Sequence, residues 1–172
     1  MLSAIILAPP DADPMAGRAQ DAIIRSLAAL VGAAVADVVR DACIAGAPDA
    51  QLAAIADHAG CALVEDADAR TRVEKALHAA RGDRVFLLAA GYAPMSGFID
   101  EMSDWSLSAS PPAVVLRAEP DSLARRIFPA LAPSVGVIAL KRDVLAFAGD
   151  NPAALARKLG ARTLHTRARR VV

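Results

Sequence analysis

The chain has 172 residues, 55% of them hydrophobic and only 3% aromatic, so it is long enough to bury one full-sized core and must build it from Ala, Val, Leu and Ile. Lys plus Arg equals Asp plus Glu at 19 each, which removes the overall field that draws a basic protein to nucleic acid or to an anionic membrane. No apolar run reaches the roughly 20 residues of a membrane span, and Met1-Leu2-Ser3-Ala4 lacks the basic start of a signal peptide. The sequence therefore predicts one domain over 1–172, cytoplasmic, with no nucleic-acid partner and no membrane span.

Strand-like and helix-like segments alternate along the chain. Ser3 to Ala8 is a short apolar run closed by Pro9-Pro10, a first strand; Pro14 and Gly17 then open a helix whose Ile23, Ile24, Leu27, Leu30 and Val31 recur at helical spacing. Val38 to Gly46 reads as a second strand, and Pro48-Asp49 starts a helix through Leu52, Ile55 and Ala56 to a stop at Gly60. Cys61 to Val64 is a third strand. Ala69 to Arg81 is a helix with Val73, Ala76, Leu77 and Ala80 on one face, stopped by Gly82. Val85 to Ala90 then forms a fourth strand, predicted to be central, buried on both faces over Val85 to Leu88, with Gly91 at its carboxyl edge facing a cleft. Phe98, Ile99, Met102 and Trp105 predict a helix, Ala113 to Leu116 a strand, Leu123 to Leu131 a helix, and Val135 to Leu140 a strand. Short helices from Arg142 and from Asn151 and a last strand near Thr163 to His165 complete the chain. This alternation predicts an α/β fold of three layers, a mostly parallel central sheet with helices on both faces.

Chemical motifs are sparse. Cys43 and Cys61 border apolar runs without Cys-x-x-Cys spacing or a nearby histidine, which reads as buried free thiols. His58, His78 and His165 are far apart, and there is no phosphate loop ending in Lys-Ser or Lys-Thr, no Gly-x-Ser-x-Gly elbow and no His-Glu-x-x-His. Ser96, after Pro94 and Met95, reads as a helix N-cap rather than a nucleophile because no base is paired with it.

A family resemblance rests on four stretches: Leu27 to Val35, then Val39-Arg40-Asp41; Ile55 to Cys61; Ala79-Ala80-Arg81-Gly82-Asp83 with the apolar strand after it; and Gly136 to Leu145 with its Lys141-Arg142-Asp143 turn. Over most of its length the chain resembles the short bacterial family 2 glycosyltransferases of the GT-A fold. The resemblance implies that nucleotide or nucleotide-sugar contacts come from the carboxyl ends of strands one, two and four, here Pro9, Asp11, Ala45, Gly46, Gly91 and Tyr92. It also implies where this chain departs from the family. The acidic turn that addresses the base is replaced by Ala45-Gly46-Ala47-Pro48, and the acids that hold a divalent metal by Ala89-Ala90-Gly91. Asp49 then stands as a first-turn helix acid. Asp150, in Gly149-Asp150-Asn151-Pro152, is the nearest match to the family's catalytic base, although Asn151-Pro152 has the form of an N-cap followed by proline at the first helical position. Arg157, Lys158, Arg162, Arg167, Arg169 and Arg170 form a basic end, read either as a solvated tail or as a phosphate-holding element. No metal site and no resident cofactor are expected, a nucleotide-sugar and a divalent ion entering only if the chain is an active transferase. Two readings stay open, a transferase of weak or no metal-dependent activity and a non-catalytic binding or assembly module. A nucleotidyltransferase-like reading rests only on Pro14-Met15-Ala16-Gly17-Arg18.

Overall fold

The computed structural model describes residues 1–9, 18–128, 131–148 and 151–171. Its strands are β1 (Leu2–Leu7), β2 (Val39–Gly46), β3 (Ala62–Glu65), β4 (Arg84–Ala89), β5 (Tyr92–Pro94), β6 (Val114–Ala118), β7 (Ser134–Leu140) and β8 (Arg162–Arg170). The helices are α1 (Ala19–Val35), α2 (Ala50–Ala59), α3 (Ala69–Ala79), α4 (Phe98–Ser106), α5 (Leu123–Ile127), α6 (Lys141–Leu145) and α7 (Pro152–Lys158). All eight strands join one sheet in the order β3-β2-β1-β4-β7-β6-β8-β5. The half from β3 to β4 is parallel throughout. Strand β7 runs antiparallel to both of its neighbours, β8 is parallel to β6, and β5 is antiparallel to β8.

Side chains alternate across the sheet and feed two cores. Leu2, Ala4 and Ile6 of β1, Phe86 and Leu88 of β4 and Ile138 of β7 meet α1, α2 and α4 on one face. Ile5, Val85, Leu87, Val137 and Ala139 meet α3, α6 and α7 on the other. The run from Val85 to Leu88 is therefore covered on both sides, as its unbroken apolar character predicts. Gly136 permits the close passage of β7 over β4, since a Cβ there would lie 2.8 Å from the Phe86 ring.

Helix ends follow their capping residues. Asp49 is the N-cap of α2, its side chain accepting the Gln51 N–H at 2.9 Å, rather than a first-turn acid. The helix closes at Gly60 in the left-handed region at φ 64°. Asn151 caps α7 ahead of Pro152 as its motif predicts. Ser96 does not cap α4; Gly97 holds that position at φ 92° with no side-chain bond.

The structure corrects four further expectations. Strand β5 was not anticipated, because three residues ending in proline carry no periodicity. Helix α5 stops at Ile127 instead of reaching Leu131, with a proline following Phe128 in the sequence. The basic end is not a tail: Arg162 to Arg170 is a nine-residue strand in which Leu164, Thr166 and Ala168 are buried, Arg162, Arg169 and Arg170 are exposed and Arg167 is half-buried. Ile24 and Val31 of α1 do not join the core; Ala22, Ile23, Ser26, Leu30 and Ala33 face the sheet, leaving Ile24 47% and Val31 59% exposed.

Candidate functional site at the carboxyl edge

The carboxyl ends of β1, β2 and β4 lie side by side, as the parallel registry Leu7 to Ala45 and Leu7 to Ala89 requires. In an open α/β sheet this edge is where ligands bind. Here the backbone closes it on itself: the Ala8 N–H donates to Ala45 O at 2.9 Å, the Ala90 N–H to Leu7 O at 2.9 Å and the Asp66 N–H to Gly46 O at 3.2 Å. Pro9 follows directly, half-buried, and Gly46 packs closely under α2, where a Cβ would displace the Leu52 side chain. Gly91 sits in the β4–β5 turn at φ 86°, buried and turned toward α1. Its N–H donates to Ser26 Oγ at 2.9 Å, and Ser26 Oγ–H donates to Tyr92 O at 2.9 Å. The fully buried Ser26 thus fastens this turn from the helix. Tyr92 begins β5, half-buried, its ring against the core beneath α1 and α4. Pro9, Gly46 and Gly91 are thereby brought to one edge, with Tyr92 next to Gly91 and paired to Arg170 on β8. Asp11 and Asp150 lie outside the described residues.

Acidic side chains near this edge are committed to local structure. Glu65 Oε1 accepts the Asp49 N–H at 2.8 Å, and Asp68 caps α3 through the Thr71 N–H at 2.7 Å. The Lys75 ammonium at 2.7 Å and the Asp68 N–H hold the Asp66 carboxyl below the usual range, and the Thr71 backbone and hydroxyl do the same for Asp68. Among the described residues no group of three or more His, Cys, Asp or Glu is placed to hold a metal ion. At the end of β4, Ala89, Ala90 and Gly91 carry no side-chain oxygen, so the residues there do not fit the divalent ion that a diphosphate-transfer site of this architecture would use. His58 Nδ1 lies 2.7 Å from Ala54 O within its own helix. Burial pushes the Cys43 thiol up to about 12, which leaves it inert as a nucleophile.

The other half of the same edge is basic. Strands β6 and β8 point the same way as β4, and their registry places Arg117 directly beside Arg167. Arg117 donates to Ala132 O at 3.0 Å, while one terminal nitrogen of Arg167 is buried without a partner among the described residues. Arg169 and Arg170 follow on β8. The sequence pointed to the arginines of β8 but not to Arg117, an isolated base within a strand; only the strand order brings it beside Arg167. A register shift in the β6–β8 pairing accompanies the bonds of Glu101 on α4, which accepts the His165 N–H at 2.8 Å and the Thr166 N–H at 2.9 Å.

No family model matches the chain, and no curated protein matches it. Solved structures do. Glucosyl-3-phosphoglycerate synthase from Mycobacterium tuberculosis, in complex with Mn2+, UDP and phosphoglyceric acid, aligns with a TM-score of 0.59 at 15% identity over 95% of this chain and 68% of that one. A mycobacterial protein aligns with a TM-score of 0.58 at 15% identity over 83% of this chain, and a putative protein from Aquifex aeolicus VF5 with 0.52 at 13% over 94%. The chain spans about half of the length of the former, 54%, and 84% of the latter. With its strand order, its two helical layers and these neighbours, the chain has the GT-A fold of the nucleotide-sugar transferases.

Proposed function

We propose that this protein binds a nucleoside diphosphate, or the sugar carrying it, at the carboxyl edge of its sheet, and that it does so without the metal-dependent transfer chemistry found on this fold. The observation that carries the reading is a substitution of charge carriers along one edge. Where a metal-holding acid would stand, β4 ends in Ala89-Ala90-Gly91, and two strands further along Arg117 and Arg167 stand side by side. At strand spacings of about 4.8 Å, β6 lies roughly 10 Å from β4, a distance that a nucleoside diphosphate spans. The backbone turns at Pro9 and Gly46 would receive the nucleoside, and Tyr92 offers a ring with a polar tip beside Gly91. A guanidinium pair neutralises a diphosphate through bidentate bonds and needs no divalent ion.

Glucosyl-3-phosphoglycerate synthase, the fold neighbour, binds Mn2+ and UDP. On the present reading this chain keeps the nucleotide and dispenses with the metal, and with it most or all of the transfer activity. A binding or assembly role on the same scaffold follows from the same vacancy at β4. Thermal denaturation with nucleoside diphosphates and their sugars, with and without Mn2+, tests this. The expected result is a rise in Tm with the nucleotide that Mn2+ does not increase and that Arg117→Ala abolishes. A shift that appears only with Mn2+, or robust sugar transfer in its presence, would overturn the reading.

A further inference from the structure

We propose that two copies of this chain pair through α1 in antiparallel fashion, the outer face of each helix packing on the other beside the groove between α1 and α2. The first observation is that α1 is apolar on both sides. From Ser26 to Val35 it carries no charge, and the exposed Ile24, Ala28, Val31 and Val35 recur at spacings of four, three and four. A helix apolar all round is ordinarily buried all round, yet Val31 is 59% and Val35 80% exposed. Ile24, Ala28 and Val31 of this stripe form, with Leu27 and Ala34, one wall of a concave, mostly apolar groove of about 640 Å³ whose other wall includes Ile55 and Ala59 of α2. The groove opens by Val39 to Ala42, toward the amino ends of the strands and away from the site described above.

Three features select a second copy as the occupant. The four-three-four spacing is palindromic, so an antiparallel partner sets Ile24 against Val35 and Ala28 against Val31 in both directions, as a two-fold interface requires. Charges at the two ends of the helix are complementary in that sense only. Asp21 and Arg25 lie at one end and Asp37 and Arg40 at the other, all exposed and none in an ion pair with a described residue. Antiparallel pairing brings Arg25 toward Asp37 and Asp21 toward Arg40, whereas parallel pairing opposes like charges. Finally, Gly32 sits inside α1, where glycine is disfavoured relative to alanine, although a Cβ at that position would meet nothing among the described residues within 4 Å. No described residue of the chain needs that glycine. A second helix crossing there, with the Arg25 stem of the partner passing over it, does.

Sedimentation equilibrium of the full chain in reducing buffer, from about 1 to 100 µM, tests the proposal. The wild type is expected to dimerise. Val31→Glu should weaken the dimer at least tenfold with an unchanged circular dichroism spectrum. Should Val31→Glu fail to fold, the charge variants decide: Arg25→Asp should weaken association, and Arg25→Asp with Asp37→Arg should restore it. A wild type that stays monomeric across this range overturns the proposal, whatever else the groove takes up. So does a dimer indifferent to Val31→Glu, or one that the paired charge exchange fails to rescue.

Discussion

The two ends of the parallel half of the sheet are built on opposite plans. At the amino end, polar side chains tie the strands together. The buried Ser3 of β1 donates to Asp41 of β2 at 2.6 Å and receives the Gly82 N–H at 2.9 Å, and the Arg81 N–H reaches Asp41 at 3.3 Å. Lys141 donates to Ala80 O at 3.0 Å, and the Arg84 guanidinium clasps the Ser106 and Ser108 carbonyls beneath Trp105. At the carboxyl end, the described residues of the same strands meet mainly through backbone groups, joined by the Ser26 hydroxyl at the β4–β5 turn and by the Glu65 carboxylate at the end of β3. In α/β enzymes the amino end serves stability and the carboxyl end carries chemistry. Here, among the described residues, the Arg81-Gly82-Asp83 turn belongs to the stabilising end, tied through Ser3 and Asp41 to β1 and β2.

The largest effect should therefore come from the amino end. Ser3→Ala leaves the Gly82 N–H and an Asp41 oxygen without their partner in a site only 1% exposed at Ser3. We expect a loss of about 2 kcal/mol, or a fall of about 4–8 °C in Tm for a chain of this size, with any nucleotide-induced shift preserved. Equal loss of both would break the division of labour between the two ends. The next effect is at the carboxyl end. Ser26→Ala removes the donor to Tyr92 O, while the Gly91 N–H retains a 3.2 Å bond to Ala22 O. A cost of about 1–2 kcal/mol is expected, together with faster amide exchange at Gly91 and loss of nucleotide binding. Exchange unchanged at Gly91 would mean that the turn is held by its own geometry.

Which parts of this were legible in the sequence follows the range of the forces involved. The unbroken apolar run of β4 and the Asn151-Pro152 cap are local signals, and each stands where its local chemistry predicts, whereas α3 ends at Ala79 with Ala80 as its C-cap, short of the stop expected at Gly82. Ser26 was not legible: a serine among alanines in a helix reads as surface, and only the approach of the β4–β5 turn gives it a buried role. The pairing of Arg117 with Arg167 depends on strand order and on a register shift, neither of which a periodicity encodes.

A smaller and pH-dependent effect is expected at Glu101. Burial disfavours its charged form, but the Thr166 and His165 N–H groups outweigh burial and hold its pKa below the ordinary value. A carboxyl depressed in the folded state contributes stability above its unfolded pKa of about 4.3 and loses it as the pH falls through the folded value. Glu101→Gln should therefore cost about 1 kcal/mol at neutral pH, a charged hydrogen-bond contribution discounted for partial exposure to solvent. The wild type and the variant should converge as the pH falls through the folded pKa of Glu101, below its unfolded value. A gap that is constant with pH would show that the carbonyl oxygen, and not the charge, holds the bulge of β8.

The smallest effect on stability should come from Tyr92, the only tyrosine in the chain and the one side chain at the carboxyl end that could belong to either plan. Its ring is half-buried against the core beneath α1 and α4, so Tyr92→Ala would remove packing and confuse loss of binding with loss of fold. Tyr92→Phe keeps the ring and removes only the hydroxyl. If that hydroxyl serves a ligand, the variant should melt within about 0.5 kcal/mol of the wild type and show a smaller nucleotide-induced shift. The difference of the two shifts then measures one hydrogen bond, about 0.5–1.5 kcal/mol. If the shift is unchanged, Tyr92 belongs to the core alone, and the carboxyl end binds its nucleotide through the backbone and the arginines of β6 and β8. That outcome would sharpen the contrast between the ends, since no side chain of β4 or of its turn would then take part in recognition.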